Sequence, residues 1–199
     1  MAEKDKIIDY NFFHWGPFLY KTSLNKEELK SIKKLCNKNL KDHTENLAGL
    51  IKNEYELDEK KVFPIIKPYI ISYSQAYINY GIEPLGSKIE ITAAWVNYMT
   101  KFESNPLHKH KGDLSFIIYT DIPKKLKEEV KNCNANTKPG CVYFINKLAH
   151  EKYCINQHTF MPEVGDFFIF PGCLNHGVNH FQSEGERVSI SGNLMITDG

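Results

Sequence analysis

The strongest constraint on the fold is a change of texture at Gly81. Beyond it the chain breaks into short segments rich in β-branched and aromatic residues, punctuated by Gly, Pro and Asn: Ile89–Met99, Leu114–Thr120, Gly140–Ile145, His158–Met161, Asp166–Phe170 and Arg187–Ile196. Each reads as a β-strand, because such side chains fill the half-buried pleated surface of a sheet. Several short strands at this spacing predict a sandwich or barrel.

Upstream of Gly81 the period changes. Leu29, Ile32, Leu35, Cys36 and Leu40 recur at three- and four-residue steps with lysines between them, which predicts an amphipathic helix over Leu24–Leu40. Asn25 and Glu28 have the spacing of a capping pair for its start. A second helix is expected from about Pro64 to Tyr80, with Pro64 and Pro68 confined to its first turn. Helices grouped first and strands afterwards give an α+β class, mainly β, and exclude an alternating parallel sheet. An aromatic leader and helices would fill 1–80 and the β-rich part 81–199. No repeat or linker divides them, so 1–199 is expected to be one domain, as its length suggests at roughly 150 residues per domain. The Lys- and Asn-rich insertion Pro123–Pro139 reads as a solvated loop between strands, with a flap over a site as the alternative.

Composition removes several function classes. With 25 basic and 24 acidic residues the net charge is +1, so broad attraction to nucleic acid or an anionic membrane is not expected. Apolar runs such as Phe167–Phe170 fall far short of the roughly 20 residues that span a bilayer. Five cysteines without a Cys-x-x-Cys pair argue against a zinc knuckle or disulfide framework. With no apolar signal core near the N-terminus, the reading is a cytoplasmic protein.

The histidines carry the chemistry. His108 and His110 directly precede the strand at Leu114, and residues two apart on an extended segment point to one side. His176 follows the strand Asp166–Phe170 and could close a three-point metal set with open coordination positions, as non-haem Fe(II) chemistry requires. On spacing alone a surface role for His108 and His110 stays open, and His180 is a weaker partner for His176. His14, His43, His150 and His158 read as structural or surface groups. Arg187 and Ser189 alternate to the same face of the last strand. A buried arginine needs an anionic partner, and a guanidinium fork beside a hydroxyl suits a carboxylate. A metal set next to such a clamp would hold a 2-oxo acid.

The ordered motifs Trp95-Val-Asn97, His108-Lys-His110, Tyr119, Gly165-Asp166, Phe170-Pro171, His176-Gly-Val178 and Arg187-Val-Ser-Ile-Ser-Gly-Asn193 resemble the 2-oxoglutarate- and Fe(II)-dependent oxygenases. The likeness is nearest to oxygenases common in marine bacteria and their phages, related to the prolyl-hydroxylase-like branch. It covers about 89–198, and the Trp-Gly-Pro-Phe leader and Asp42–Tyr55 look similar too. The resemblance implies a double-stranded β-helix, or jelly roll, with N-terminal supporting helices. It implies Fe(II), 2-oxoglutarate as cosubstrate, and O2, with hydroxylation of an unactivated C–H bond and release of succinate and CO2. His176 would be the distal iron ligand and Arg187 the partner of the 2-oxoglutarate C5 carboxylate, assisted by Ser189. Tyr119 would contact the cosubstrate, Asn97 and Asn193 would face the cavity, and Trp95 would pack in the core.

One departure stands out. Relatives mostly carry His-x-Asp or His-x-Glu where this chain has His108-Lys-His110. Either His110 replaces the carboxylate, giving the set His108, His110 and His176, or His110 takes the histidine position and Gly112 leaves a vacancy. Asp113 could reach the metal only with a local bend. The substrate would be a small molecule or peptide, prolyl or amino-acid-like, and an open edge strand would permit a homodimer. A cupin-type metalloenzyme would leave Arg187 unexplained, and a non-catalytic binding module would bind no iron. A nucleic-acid demethylase lacks an evident basic groove, the lysines of the Pro123–Pro139 loop aside.

Overall fold

The computed structural model describes residues 16–46, 49, 51–83, 85–86, 88–135, 138–146 and 155–198. The first part of the aromatic leader, with His14 and Trp15, lies outside the described residues, as do His150 and Cys154.

The first helix, α1 (Lys26–Lys33), opens on the expected capping box, in which Asn25 accepts from the Glu28 backbone and Glu28 accepts from Asn25. It ends well before Leu40. Leu35 and Cys36 instead fold back in hydrogen-bonded turns and pack against the same core from outside the helix. The second, α2 (Glu59–Asn79), starts earlier than the prolines suggested, capped by Asp58. Pro64 and Pro68 sit inside it, both on the exposed side. Each proline removes one ladder bond, and on the exposed side the freed carbonyl is open to solvent rather than held in the core. The opposite side buries Val62, Ile66, Ile70 and Tyr73.

Ten strands follow the helical texture or interrupt it: β1 (Tyr20–Ser23), β2 (Glu54–Glu56), β3 (Lys88–Met99), β4 (Asn105–His108), β5 (Leu114–Asp121), β6 (Val142–Ile145), β7 (Gln157–Phe160), β8 (Asp166–Pro171), β9 (Asn175–Val178) and β10 (Arg187–Thr197). They form two antiparallel sheets, a larger one ordered β1-β8-β5-β10-β3-β2 and a smaller one ordered β4-β9-β6-β7. The result is mainly β with a few helices. The six expected strands are present, whereas β1, β2, β4 and β9 are too short or too polar to show a period in sequence. The insertion departs from a solvated loop: it carries a third helix, α3 (Leu126–Asn132), whose Leu126 is fully buried. Its Glu129 accepts from the Gln182 and Ser183 backbones, which ties the helix to the β9–β10 connection.

Alternation along the strands divides the core in two. One side of the large sheet packs on the helices through Val96, Phe116, Ile118 and Phe167. The other faces the small sheet, where Ile117, Tyr119, Phe168 and Phe170 meet Val142, Phe144 and Val178. Among the described residues no helix is long and apolar enough to cross a membrane.

Candidate active site

Pairing in the small sheet assembles the histidines. His108 ends β4 directly opposite His176 in β9, so their rings come to 4.3 Å between centroids. His110 lies just past the strand, its backbone N–H donating to the Gly172 carbonyl at 2.8 Å, which sets its ring 5.0 Å from His108 and 5.1 Å from His176. One ligand atom from each lies within 4.8 Å of the others. Gly172 permits this approach. A Cβ there would stand 2.1 Å from the Gly112 carbonyl oxygen, backbone that no rotamer change can move.

The histidines are in a form that could bind a metal ion. The Nδ1 of His108 lies 2.8 Å from the Pro106 carbonyl and that of His176 lies 2.9 Å from the Leu174 carbonyl. A carbonyl only accepts, so each Nδ1 carries the proton and each Nε2 keeps a lone pair for the cavity. Burial pushes the His176 pKa down to about 3 and, with the neighbouring His108, that of His110 to about 4; burial lowers that of His108 as well. Neutral imidazole is the form that binds a metal. Asp113 takes no part in the cluster, because its Oδ2 accepts from the Ile196 backbone at 2.7 Å. Among the described residues the cluster contains no carboxylate.

On the large sheet, register aligns a row of polar side chains beneath the histidines: Glu54 faces Asn97, Asn97 faces Ser189, and Ser189 faces Tyr119. Arg187, one alternation from Ser189, is 2% exposed. Its Nε donates to the Gly140 carbonyl at 3.1 Å and its Nη2 to the Tyr119 hydroxyl at 2.8 Å. Both partners are neutral, and among the described residues no carboxylate pairs with it. Burial raises the Tyr119 pKa, so the phenol keeps its proton and can itself donate.

Asn97, Tyr119, Arg187 and Ser189 line one cavity with the three histidines. Asn193 lies one step beyond Ser191, outside that lining, with its amide oxygen accepting from Ser115 at 2.9 Å. Trp95 departs from a purely core role: it is 8% exposed, lines the cavity, and carries His43 stacked on its ring at 5.4 Å. Sequence reasoning passed over Asn105, Met99 and Ile51, which also line the cavity. The two-residue step from Asn97 was a signal for Trp95 and Met99; nothing in the sequence marked Ile51.

A model of the 2OG-Fe(II) oxygenases matches residues 93–193, just over half of the chain. The chain belongs to the 2OG-Fe(II) oxygenase family. No curated protein sequence matches it. The oxygenase is similar in fold to a 2OG-Fe(II) oxygenase family oxidoreductase from Burkholderia pseudomallei, at 12% identity and TM-score 0.56 over 92% of this chain and 86% of that one. It is similar to a prolyl-4-hydroxylase from Pseudomonas putida, at 11% identity and TM-score 0.51 over 91% and 92% of the two chains. It also resembles the collagen prolyl hydroxylase of Paramecium Bursaria Chlorella virus-1, solved with 2-oxoglutarate, at 12% identity and TM-score 0.53 over 88% and 94%. At these identities the likeness is one of fold. Family membership makes the oxygenase an enzyme that uses Fe(II), 2-oxoglutarate and O2. Its residues fit those groups: a convergent nitrogen donor set, and a buried guanidinium lacking the anion that a dicarboxylate would supply.

Proposed function

We propose that this oxygenase hydroxylates an unactivated C–H bond of a small-molecule or peptide substrate, prolyl or amino-acid-like. His108, His110 and His176 would hold the iron, and Arg187, Tyr119 and Ser189 the distal carboxylate of 2-oxoglutarate. The observation that carries the reading is Arg187, a buried cation without a carboxylate partner among the described residues, lining the same cavity as three convergent histidines. An uncompensated buried charge is costly, and a ligand carboxylate offsets that cost at the place where a 2-oxo acid reaching toward the histidines would end.

The two antiparallel sheets are read as a double-stranded β-helix within one oxygenase domain, and similarity to prolyl hydroxylases supports placement in that branch. Bound iron with 2-oxoglutarate supplies the oxidising power for C–H hydroxylation by O2, releasing succinate and CO2. The chain's own residues orient and shield. Arg187 offers a forked donor to the carboxylate, and the protonated Tyr119 offers a second. Phe170 and Phe144 pack on the His176 ring at 4.8 and 6.0 Å and exclude water from that side. Three neutral imidazoles would contribute no charge, so the carboxylate at the metal end of the cosubstrate would offset only part of the metal's charge.

The test is spectroscopic. Fe(II) and then 2-oxoglutarate are added anaerobically, and the weak visible charge-transfer band of the chelate is expected, absent in His176→Ala. Iron binding without a band would overturn the reading in favour of cupin-type chemistry.

A further inference from the structure

Among the described residues five buried side-chain polar atoms have no hydrogen-bond partner; two are acceptor oxygens of cavity-lining residues, Asn97 Oδ1 and Asn105 Oδ1, and a third is Oε2 of Glu54, the ladder partner of Asn97. Native proteins leave few such atoms unmet, and each one unmet costs roughly 1–3 kcal/mol. Asn97 and Asn105 line the cavity beside the Trp95 ring, and Glu54 stands directly across the ladder from Asn97. Glu54 is 3% exposed and Asn97 6%. Among the described residues no cation pairs with Glu54, whereas its strand neighbour Glu56 already has Lys41 at 2.8 Å.

The row Glu54–Asn97–Ser189–Tyr119 crosses four neighbouring strands, roughly 14 Å at the usual interstrand spacing. It is polarised. The guanidinium of Arg187 bonds to Tyr119 at one end, and a carboxyl with one oxygen lacking a partner stands at the other. An anionic ligand is drawn to the first end and a cationic group to the second.

We infer that the Glu54–Asn97–Asn105 flank is the substrate subsite and binds an ammonium group, so that the substrate class is amines. An ammonium carries three N–H donors and no acceptor, which complements three oxygens lacking partners, one of them on a carboxyl group that becomes anionic when a cation lies beside it. The adjoining Trp95 ring adds an aromatic surface of the kind cations favour. The inference rests on the oxygenase reading above, since that reading assigns the Arg187 end to 2-oxoglutarate and leaves this flank to the substrate.

The site is empty of charge until filled. Burial pushes the Glu54 carboxyl up to about 8, with Asp42 adding to the rise and hydrogen bonding from Asn97 opposing it. An ammonium bound beside it would favour the ionised carboxylate, and the Glu54 proton would pass to solvent.

The experiment uses n-butylammonium as probe, with butanol and butyrate as controls of matched size. Binding is read twice: by Trp95 fluorescence in metal-free Trp15→Phe protein, and by perturbation of the anaerobic Fe(II)–2-oxoglutarate band. Butylammonium is expected to saturate both signals, with the controls at least about tenfold weaker. Glu54→Gln, which keeps the side-chain shape, is expected to weaken the amine by at least about tenfold while leaving the Fe(II)–2-oxoglutarate band intact. Equal binding of butanol, or unchanged amine affinity in a folded Glu54→Gln protein, would overturn the inference. Failure of the band in the parent protein would instead overturn the oxygenase reading, while the fluorescence titration still reports on the flank.

Discussion

Arg187 lies over the ring of Tyr119, 4.6 Å from its centroid to the guanidinium carbon, and also donates to that tyrosine's hydroxyl at 2.8 Å. The arginine is thereby fixed in orientation without being neutralised. A ring face and a phenol oxygen position a cation but supply no formal negative charge, so the electrostatic demand stays open for a ligand.

Arg187→Ala should therefore cost 2-oxoglutarate affinity about 100-fold or more, the scale of losing one side of a buried charge pair. Fe(II) affinity should stay within about twofold, since the histidines do not contact Arg187. Titrations of metal and cosubstrate by the visible band and by calorimetry separate the two. Equal loss of both would remove the assigned role.

The ligand set makes a sharper distinction. His110→Ala should lower iron affinity by more than about 100-fold, above the range for losing a residue that only supports a ligand. Asp113→Ala should leave iron binding unchanged and destabilise the protein by about 1 kcal/mol, because it removes the acceptor for the Ile196 N–H. Iron titration of both variants decides between three histidines and a carboxylate ligand.

Glu54 gives the metal-free protein a pH signature. Its folded-state pKa is raised, from the usual 4.5 to about 8. The neutral carboxyl therefore contributes stability that is complete below the unfolded value and is lost as pH rises through the folded one. The melting temperature should fall between about pH 5 and pH 8, and Glu54→Gln should flatten that slope. Asp42 adds to the rise, and His43, whose backbone N–H donates to the Glu54 carbonyl, and Glu56 are the other ionisable groups near it. Comparison of the parent and variant slopes isolates Glu54.

Gly172→Ala should be among the most damaging single changes. The added Cβ collides with the Gly112 carbonyl at the turn that holds His110, so a loss above roughly 3 kcal/mol is expected, together with iron binding. Thermal unfolding and metal titration measure both.

Much of the molecule was legible because strand and helix periods are local. Six strands showed themselves through β-branched and aromatic runs, and Asn25 with Glu28 marked the start of α1. The ends of α1 and α2 were not legible. Whether Leu35 and Cys36 remain helical, and whether Pro64 and Pro68 are tolerated, depends on which side meets solvent. Strands β4 and β9 gave little signal because Asn and Pro or Gly interrupt their four residues, although they carry the two histidines that face each other. In the insertion, Leu126 became a core residue only because the glycine turn at Gly140 folds onto it.

The sequence by itself determined the chemical inventory and its order: the paired histidines, the distal histidine, and an arginine with a serine two residues on. Those follow from covalent spacing and side-chain chemistry. Only the tertiary structure decided which groups meet. It turned Asp113 away to cap a backbone N–H, placed Trp95 at the cavity, and aligned Glu54 with Asn97, Ser189 and Tyr119 in one row. Strand register fixes those neighbours, and register is set by pairing between segments far apart in the chain, which no local pattern encodes.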